Sequence, residues 1–327
     1  MSNPYRMKRT IGLSLALTFS VGTLSSQTPT SSPQAAEPAP PRSAWNVRDH
    51  ISLVQFVIQS HRGAGELAPE NTLEAFELGW KLGTYPEADL RTTKDGVIVA
   101  FHDDDFSRVV KGISPEKAKQ GVADVTFAEL SRLDVGAWKG DQFAGRKVSR
   151  MTEVFARMKN RPERHLYLDI KNVDLTQLAG EVKEAGVQRQ VVLASSKHAT
   201  LREWKALVPE ADTLLWMGGT EEAKRAQIAA LRRSNFAGIT QLQAHVRFPG
   251  DAKDVKAGEP FSPSRAFLIE LSRELAGRGI LFQTLPYGAT NAATYWQLMD
   301  LGLASFATDH PEVTLQAVRD YYAQPRP

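Results

Sequence analysis

From Val47 onward the chain alternates short β-rich runs with stretches whose apolar residues recur at helical spacing. The β-rich runs are Val54–Ser60, Tyr85–Arg91, Leu166–Lys171, Val191–Ser195, Thr213–Met217, Gly238–Gln243, Ile280–Thr284 and Ser305–Asp309. Strands that alternate with amphipathic helices pair as parallel βα units, and eight such units close a barrel. The expected fold is therefore α/β, a (β/α)₈ TIM barrel over residues 47–327. Stripes such as Leu178, Val182 and Val187, or Leu268, Leu271 and Leu275, read as helix faces packed on the barrel.

The punctuation fits that repeat. Asn71, with Glu74 three residues on, reads as the cap of a helix carrying Leu73, Phe76, Leu78 and Trp80, and Gly83 ends it. Gly186, Gly277 to Gly279 and Gly302 recur just before strands in the same way. One place departs from alternation. Lys94-Asp95-Gly96 joins the second strand to Val97–Phe101 with too few residues for a helix, which predicts a small hairpin excursion returning His102 to the strand tips. The Gly-, Pro- and charge-rich segment Ala244–Pro263 either covers the rim or is, more simply, a solvated surface loop.

The N-terminus has a different character. Arg6, Lys8 and Arg9 precede an apolar run, Ile11–Leu24, that is shorter than the ~20 residues of a membrane span, so residues 1–27 read as a removable export signal. Residues 28–46 are rich in Pro, Ser and Ala and read as a linker. The expected mature protein is periplasmic or secreted, without stable membrane insertion. There is no cysteine, which excludes disulfides and thiol acylation. Without its first 27 residues the chain carries 37 basic and 37 acidic residues, a balance that offers nucleic acid no footprint.

Catalytic groups of such barrels stand at the C-terminal ends of strands. There the first strand runs into His61-Arg62-Gly63, the second carries Glu87 and Asp89, the hairpin returns to His102-Asp103, and the third ends Asp169-Ile170-Lys171. Glu87 and Asp89, two apart, point to one face, and with Asp169 they make an oxygen-rich group suited to a hard divalent ion, Ca²⁺ or Mg²⁺. The alternative is a set of rim carboxylates paired with Arg91 and Lys171. His61 and His102, beside these carboxylates and Arg62 and Lys171, point to acid–base work on an anionic substrate. His165, His198, His245 and His310 lack such neighbours and read as structural or exposed. Trp138, Trp216, Phe248 and Tyr287 offer aromatic faces that suit a choline-like group, although each is more simply core or ordinary surface.

In order and spacing, His61-Arg62-Gly63, Pro69-Glu70-Asn71-Thr72, Glu87-x-Asp89, Thr93-Lys94-Asp95-Gly96 and His102-Asp103 resemble the signature of the glycerophosphodiester phosphodiesterase family. Leu168-Asp169-Ile170-Lys171 and Thr308-Asp309-His310-Pro311 resemble its third and last strands. The resemblance implies metal-dependent hydrolysis of a small-molecule glycerophosphodiester to an alcohol and glycerol 3-phosphate. It gives Glu87, Asp89 and Asp169 to the metal, His61 and His102 to acid–base catalysis, and Arg62 and Lys171 to the phosphate. Glu70 supports the site or is simply an acid in the first turn of its helix. His102, on the hairpin arm nearer solvent, is the preferred acid. Alternatives on the same barrel are a lysophospholipase D, a phosphatidylinositol-type phospholipase C, or an exported binder of a phosphate ligand. Three departures from the family pattern stand out: Asp169 for glutamate, Ser149-Arg150-Met151 for Pro-Thr-Leu, and Phe282-Gln283-Thr284 for a Trp-Thr pair expected near the leaving group.

Overall fold

The computed structural model describes residues 46–249 and 255–325, so the expected signal and nearly all of the linker lie outside the described residues. The first half runs β1 (Val57–Ser60), α1 (Leu73–Leu82), β2 (Tyr85–Thr92), β3 (Ile98–Ala100), α2 (Pro115–Ala118), α3 (Phe127–Leu130), α4 (Met151–Met158) and β4 (Leu166–Asn172). The second half runs α5 (Leu175–Ala185), β5 (Val191–Ser195), α6 (His198–Leu207), β6 (Asp212–Met217), α7 (Glu221–Arg233), β7 (Gln241–Val246), α8 (Arg265–Gly277), β8 (Leu281–Pro286), α9 (Ala292–Asp300), β9 (Ser305–Thr308) and α10 (Pro311–Ala323).

Strands β1, β2 and β4 to β9 pair in parallel, and β1 hydrogen-bonds to both β2 and β9, which closes an eight-stranded barrel as expected. The apolar character of β5, buried along its whole length, follows from closure, since a parallel strand here is covered on both faces. The helix stripes do pack on the barrel: Leu178, Val182, Val187, Leu268, Leu271 and Leu275 are all buried in the main core. Inside the barrel, Tyr167, Val192, Ala194 and Leu214 form a separate cluster. The interior is unusually polar around them, with Gln241, Gln243 and Gln283 buried.

Several boundaries differ from expectation. Leu53–Gln55 form a 3₁₀ turn with Val54 exposed, so β1 starts at Val57. Gly238 sits in a left-handed turn at φ 78°, which delays β7 to Gln241 and carries it to Val246, and β8 likewise runs on to Pro286. Ala244 to Val246 are therefore strand rather than loop. The cap of α1 is Thr72, whose hydroxyl accepts from the Ala75 N–H at 3.2 Å, leaving Asn71 for other work.

The hairpin is present, with β3 antiparallel to β2, but the excursion is not small. It continues to Arg150 through α2 and α3 and builds its own apolar cluster around Phe101, Phe106, Val122 and Leu130. Ser149 and Arg150 belong to this region: the Ser149 carbonyl accepts from Ala100, and the Arg150 guanidinium lies 3.9 Å over the Phe127 ring.

Candidate active site at the barrel rim

A tight turn follows β1. A Cβ on Gly65, at φ 58°, would stand 2.1 Å from the Asp309 carbonyl oxygen, and the Glu66 N–H donates to that oxygen at 2.8 Å. Only glycine permits this approach. It brings the tip of β9 against the His61-Arg62 turn, so that the His61 Nδ1 and Asp309 Oδ1 lie 2.6 Å apart.

Glu87 and Asp89 project from β2 on one face, and Asp169 of β4 lies in register with Asp89. One oxygen from each carboxylate stands within 4.8 Å of the others. The Lys171 ammonium reaches Asp89 at 3.0 Å and Asp169 at 2.5 Å, and Arg62 Nε lies 3.8 Å from Asp89. Arg91 does not join: it turns to the His102 carbonyl and to Asp104 at 2.6 Å. The ion-pair alternative thus accounts for Asp89 and Asp169 but not for Glu87, which accepts from the Arg62 backbone N–H at 2.7 Å. Burial and the neighbouring Asp89 charge push the Glu87 carboxyl up to about 8. Burial alone would raise Asp89 too, yet Lys171, His102 and the Asn71 amide hold it below the usual carboxylate range. Burial raises Asp169 against the pull of Lys171.

This donor set fits a hard cation. It is all oxygen, its carboxylates face one another, and Glu87, only 3 % exposed, is held by an amide rather than a cationic side chain. A second grouping, Glu70 with His102 and Asp103, is already filled by protein. The Arg108 guanidinium forks between Glu70, at 2.5 and 2.7 Å, and Asp103, at 2.6 and 2.9 Å. Glu70 also accepts from Arg62 at 3.1 Å, so it ties the phosphate candidate to the excursion.

The two histidines are built alike. His102 Nδ1 lies 2.6 Å from Asp103, as His61 Nδ1 does from Asp309. In each ring Nδ1 is engaged, so Nε2 remains for a proton partner. Burial alone would lower His61, but the Asp309 carboxylate and the Glu87 charge outweigh it and hold its pKa up to about 9. Asp309 is correspondingly held below its usual range by His61, against its own burial. Asp103 divides its charge between His102 and Arg108, which hold it down to about 2 against burial.

His61, Arg62, Glu87, Asp89, His102, Asp169 and Lys171 all line one cavity of about 260 Å³. Glu70 stands behind it. Sequence reasoning left out of the site Asn71, Asp103, Arg108, Asp309, Gln59 and His245. Asp103 and Asp309 had a signal, each an acid in a motif already noted at a strand tip. Asn71 has the sequence pattern of a helix cap, and nothing in the local sequence marks Arg108. His245, which lacks chemical neighbours in the sequence and so reads there as structural or exposed, lines the cavity beside Trp216 and Tyr287 because β7 runs on past Gln243 to Val246. Of the other aromatic residues, Trp138 sits under Arg108 and Lys139, and Phe248 packs on Phe261. Gln283 is fully buried below the cavity, not at its rim, and Leu285 takes the lining position.

Fold and rim define a (β/α)₈ barrel protein whose rim gathers three carboxylates that fit a hard cation, two carboxylate-held histidines and the cationic side chains of Arg62 and Lys171. The chain belongs to the glycerophosphoryl diester phosphodiesterase family, whose profile matches residues 61–313. It is 25% identical over 301 residues to a glycerophosphodiester phosphodiesterase of Bacillus subtilis, covering 86% of this chain and 92% of that one. It is also 25% identical over 270 residues to a human lysophospholipase D, covering 77% and 82%. Among solved structures, a glycerophosphodiester phosphodiesterase from Agrobacterium tumefaciens superposes with a TM-score of 0.60 at 22% identity, covering 80% of this chain and 99% of that one. A phosphodiesterase from Oleispira antarctica, in complex with the product sn-glycerol-3-phosphate, gives 0.59 at 21%, covering 80% and 96%. At this identity the two structures share the fold.

Proposed function

We propose that the protein hydrolyses a glycerophosphodiester with water to an alcohol and glycerol 3-phosphate. The observation that supports this best is the convergence on one cavity of the three carboxylates, Arg62, Lys171 and two histidines each held at Nδ1. Hydrolysis of a phosphodiester needs compensation of the non-bridging oxygens, an acceptor for the attacking water's proton and a donor for the leaving oxygen. Family membership, and the name of the Bacillus relative, support glycerophosphodiesters among possible diesters.

Glu87, Asp89 and Asp169 would hold Ca²⁺ or Mg²⁺, and the chemistry such a cation supplies when bound is charge stabilisation at a non-bridging oxygen. Arg62 and Lys171 bind the phosphate, with Glu70 bracing Arg62. His102 Nε2 takes the proton of the attacking water. His61 Nε2 gives its proton to the departing alcohol oxygen, so the charge of the diester is conserved in the monoester and the two histidines exchange protonation states. This reverses the preference drawn from sequence. Its support is that the Asp309 carboxylate, hydrogen-bonded to His61 Nδ1 at 2.6 Å, raises the pKa of that ring, whereas Asp103 shares its charge with Arg108.

The test is release of glycerol 3-phosphate from glycerophosphocholine by the purified protein, with and without chelator. No turnover of any glycerophosphodiester in the presence of Ca²⁺ or Mg²⁺ would leave a binding protein instead. We also propose an extracytoplasmic mature chain, supported by the basic and apolar character of the first 24 residues. N-terminal sequencing of exported material checks this, and an intact Met1 in the cytoplasm of the source cell would rule it out.

A further inference from the structure

The wall of the cavity contributed by β6, β7 and β8 holds Trp216, His245, Leu285 and Tyr287, and β1 adds Gln59. None of these has a part in the proton transfers. The His245 ring lies parallel to Trp216 at 5.6 Å and edge-on to Tyr287 at 5.3 Å.

A chain of hydrogen bonds through the barrel interior settles where the His245 proton sits. Ser305 gives its one hydroxyl proton to the Val57 carbonyl at 2.8 Å, so it must accept from Gln283 Nε2, at 3.0 Å. Gln283 then turns its Oε1 toward Gln243, whose Nε2 donates to it. Gln243 is thereby left facing His245 with its own Oε1, 3.0 Å from His245 Nε2. Nε2 must carry the proton, and Nδ1 keeps a lone pair. The Tyr287 hydroxyl lies 3.5 Å from Nδ1, the outer limit of a hydrogen bond. Burial and the charges of Lys224 and Arg247 hold His245 down to about 4, which keeps the ring neutral at neutral pH. A second acceptor stands in the same cavity: Gln59 Oε1 is buried without a hydrogen-bond partner among the described residues.

Gln59 Oε1 is thus a buried acceptor without a partner among these residues, which is costly, and His245 Nδ1 offers a second lone pair to the same cavity at the outer limit of its bond to Tyr287; a ligand that brings O–H donors satisfies both. A quaternary ammonium brings none. It also needs open aromatic faces, whereas here the Arg247 guanidinium already lies 4.4 Å over Tyr287 and His245 is stacked on Trp216. We infer that His245 and Gln59 form a polyol subsite, which receives the uncharged, hydroxyl-bearing end of the diester by accepting its O–H groups at Nδ1 and Oε1. Its carbon chain lies against Leu214 and Leu285. The identity of the diester rests on the hydrolase reading above, but the subsite can be tested by binding alone.

The experiment compares, by calorimetry on the cation-loaded protein, the affinities for glycerol 3-phosphate, n-propyl phosphate and choline phosphate. All carry the same phosphate, and only the first offers glycerol hydroxyls. Wild type should favour glycerol 3-phosphate by about tenfold, the scale of one or two hydrogen bonds. His245→Phe keeps a ring in the stack and removes the acceptor, so the preference should fall below about threefold with propyl phosphate affinity unchanged. His245→Asn, whose amide oxygen stands near the place of Nδ1, should restore part of it. Nitrogen-15 NMR should show Nδ1 bare and Nε2 protonated. Full preference in His245→Phe, a proton on Nδ1, or wild-type binding of propyl or choline phosphate as tight as glycerol 3-phosphate would overturn the assignment. If the preference holds but no diester is hydrolysed, the subsite stands and the hydrolase reading falls.

Discussion

Asn71 and Asp89 exchange two hydrogen bonds: the Asn71 amide donates to the Asp89 carboxylate at 2.8 Å, and the Asp89 backbone N–H donates to the Asn71 side-chain oxygen at 2.9 Å. Asn71 takes up a left-handed conformation, φ 57°, to do so. It thus aims, from behind, one carboxylate of the proposed cation cradle. Asn71→Gly tolerates the same backbone and removes the side chain, so it should lower Ca²⁺ or Mg²⁺ affinity by about 10- to 100-fold with the fold retained. A cation titration followed by circular dichroism checks this, and an unchanged affinity would show that Asp89 needs no such brace.

Chelation should abolish turnover, and added Ca²⁺ or Mg²⁺ should restore it. Glu87→Ala should lower activity on the order of 100-fold or more while leaving the barrel folded, because its side chain belongs to the cavity wall rather than to the apolar core. Full activity of metal-stripped protein in excess chelator would refute the cradle.

The pH dependence of the cation-free protein follows from two shifts. Glu87 is raised from 4.5 to about 8, so between those values the folded state holds a proton that the unfolded state has lost, and stability falls as pH rises. His61 is raised from 6.5 to about 9, so its contribution is complete below 6.5 and disappears as pH rises through 9. Both act in one direction, while His245, lowered from 6.5 to about 4, opposes them below 6.5; Tm of the cation-free protein should therefore fall from about pH 6.5 to about pH 9. Cation binding requires ionised Glu87 and should release a proton, tightening as pH approaches 8. Scanning calorimetry with and without Ca²⁺ or Mg²⁺ measures both effects; a Tm that rises over this window would contradict the assignment.

The division of labour between the histidines can be read from the leaving group. A nitrophenolate departs without a proton. The variant lacking the acid should recover much of its activity on a nitrophenyl diester, while the variant lacking the base stays slow on both substrates, each contribution being worth ~10²- to 10⁴-fold. With His61 as acid, His61→Ala should be the variant rescued. Rescue of His102→Ala would restore the opposite assignment, and equal losses on both substrates would mean that the histidines position phosphate and cation.

Local pattern carried the architecture and the first circle of the site. Alternating strands and amphipathic helices are short-range properties, as is the spacing that sets Glu87 and Asp89 on one face, and both were legible before any folding. What the sequence could not express was partnership between residues far apart in the chain. The Asp309 contact to His61 joins residues 248 apart, and the Arg108 fork reaches Glu70 38 residues away. Strand ends were the other failure. A turn at Gly238 delays β7, and its parallel register with β8 carries His245 and Leu285 beyond the tips drawn from pattern alone. Since period two decides only which face a side chain takes, its height in the barrel waits on pairing with a neighbouring strand. That height is what places His245 in the cavity and Gln283 beneath it.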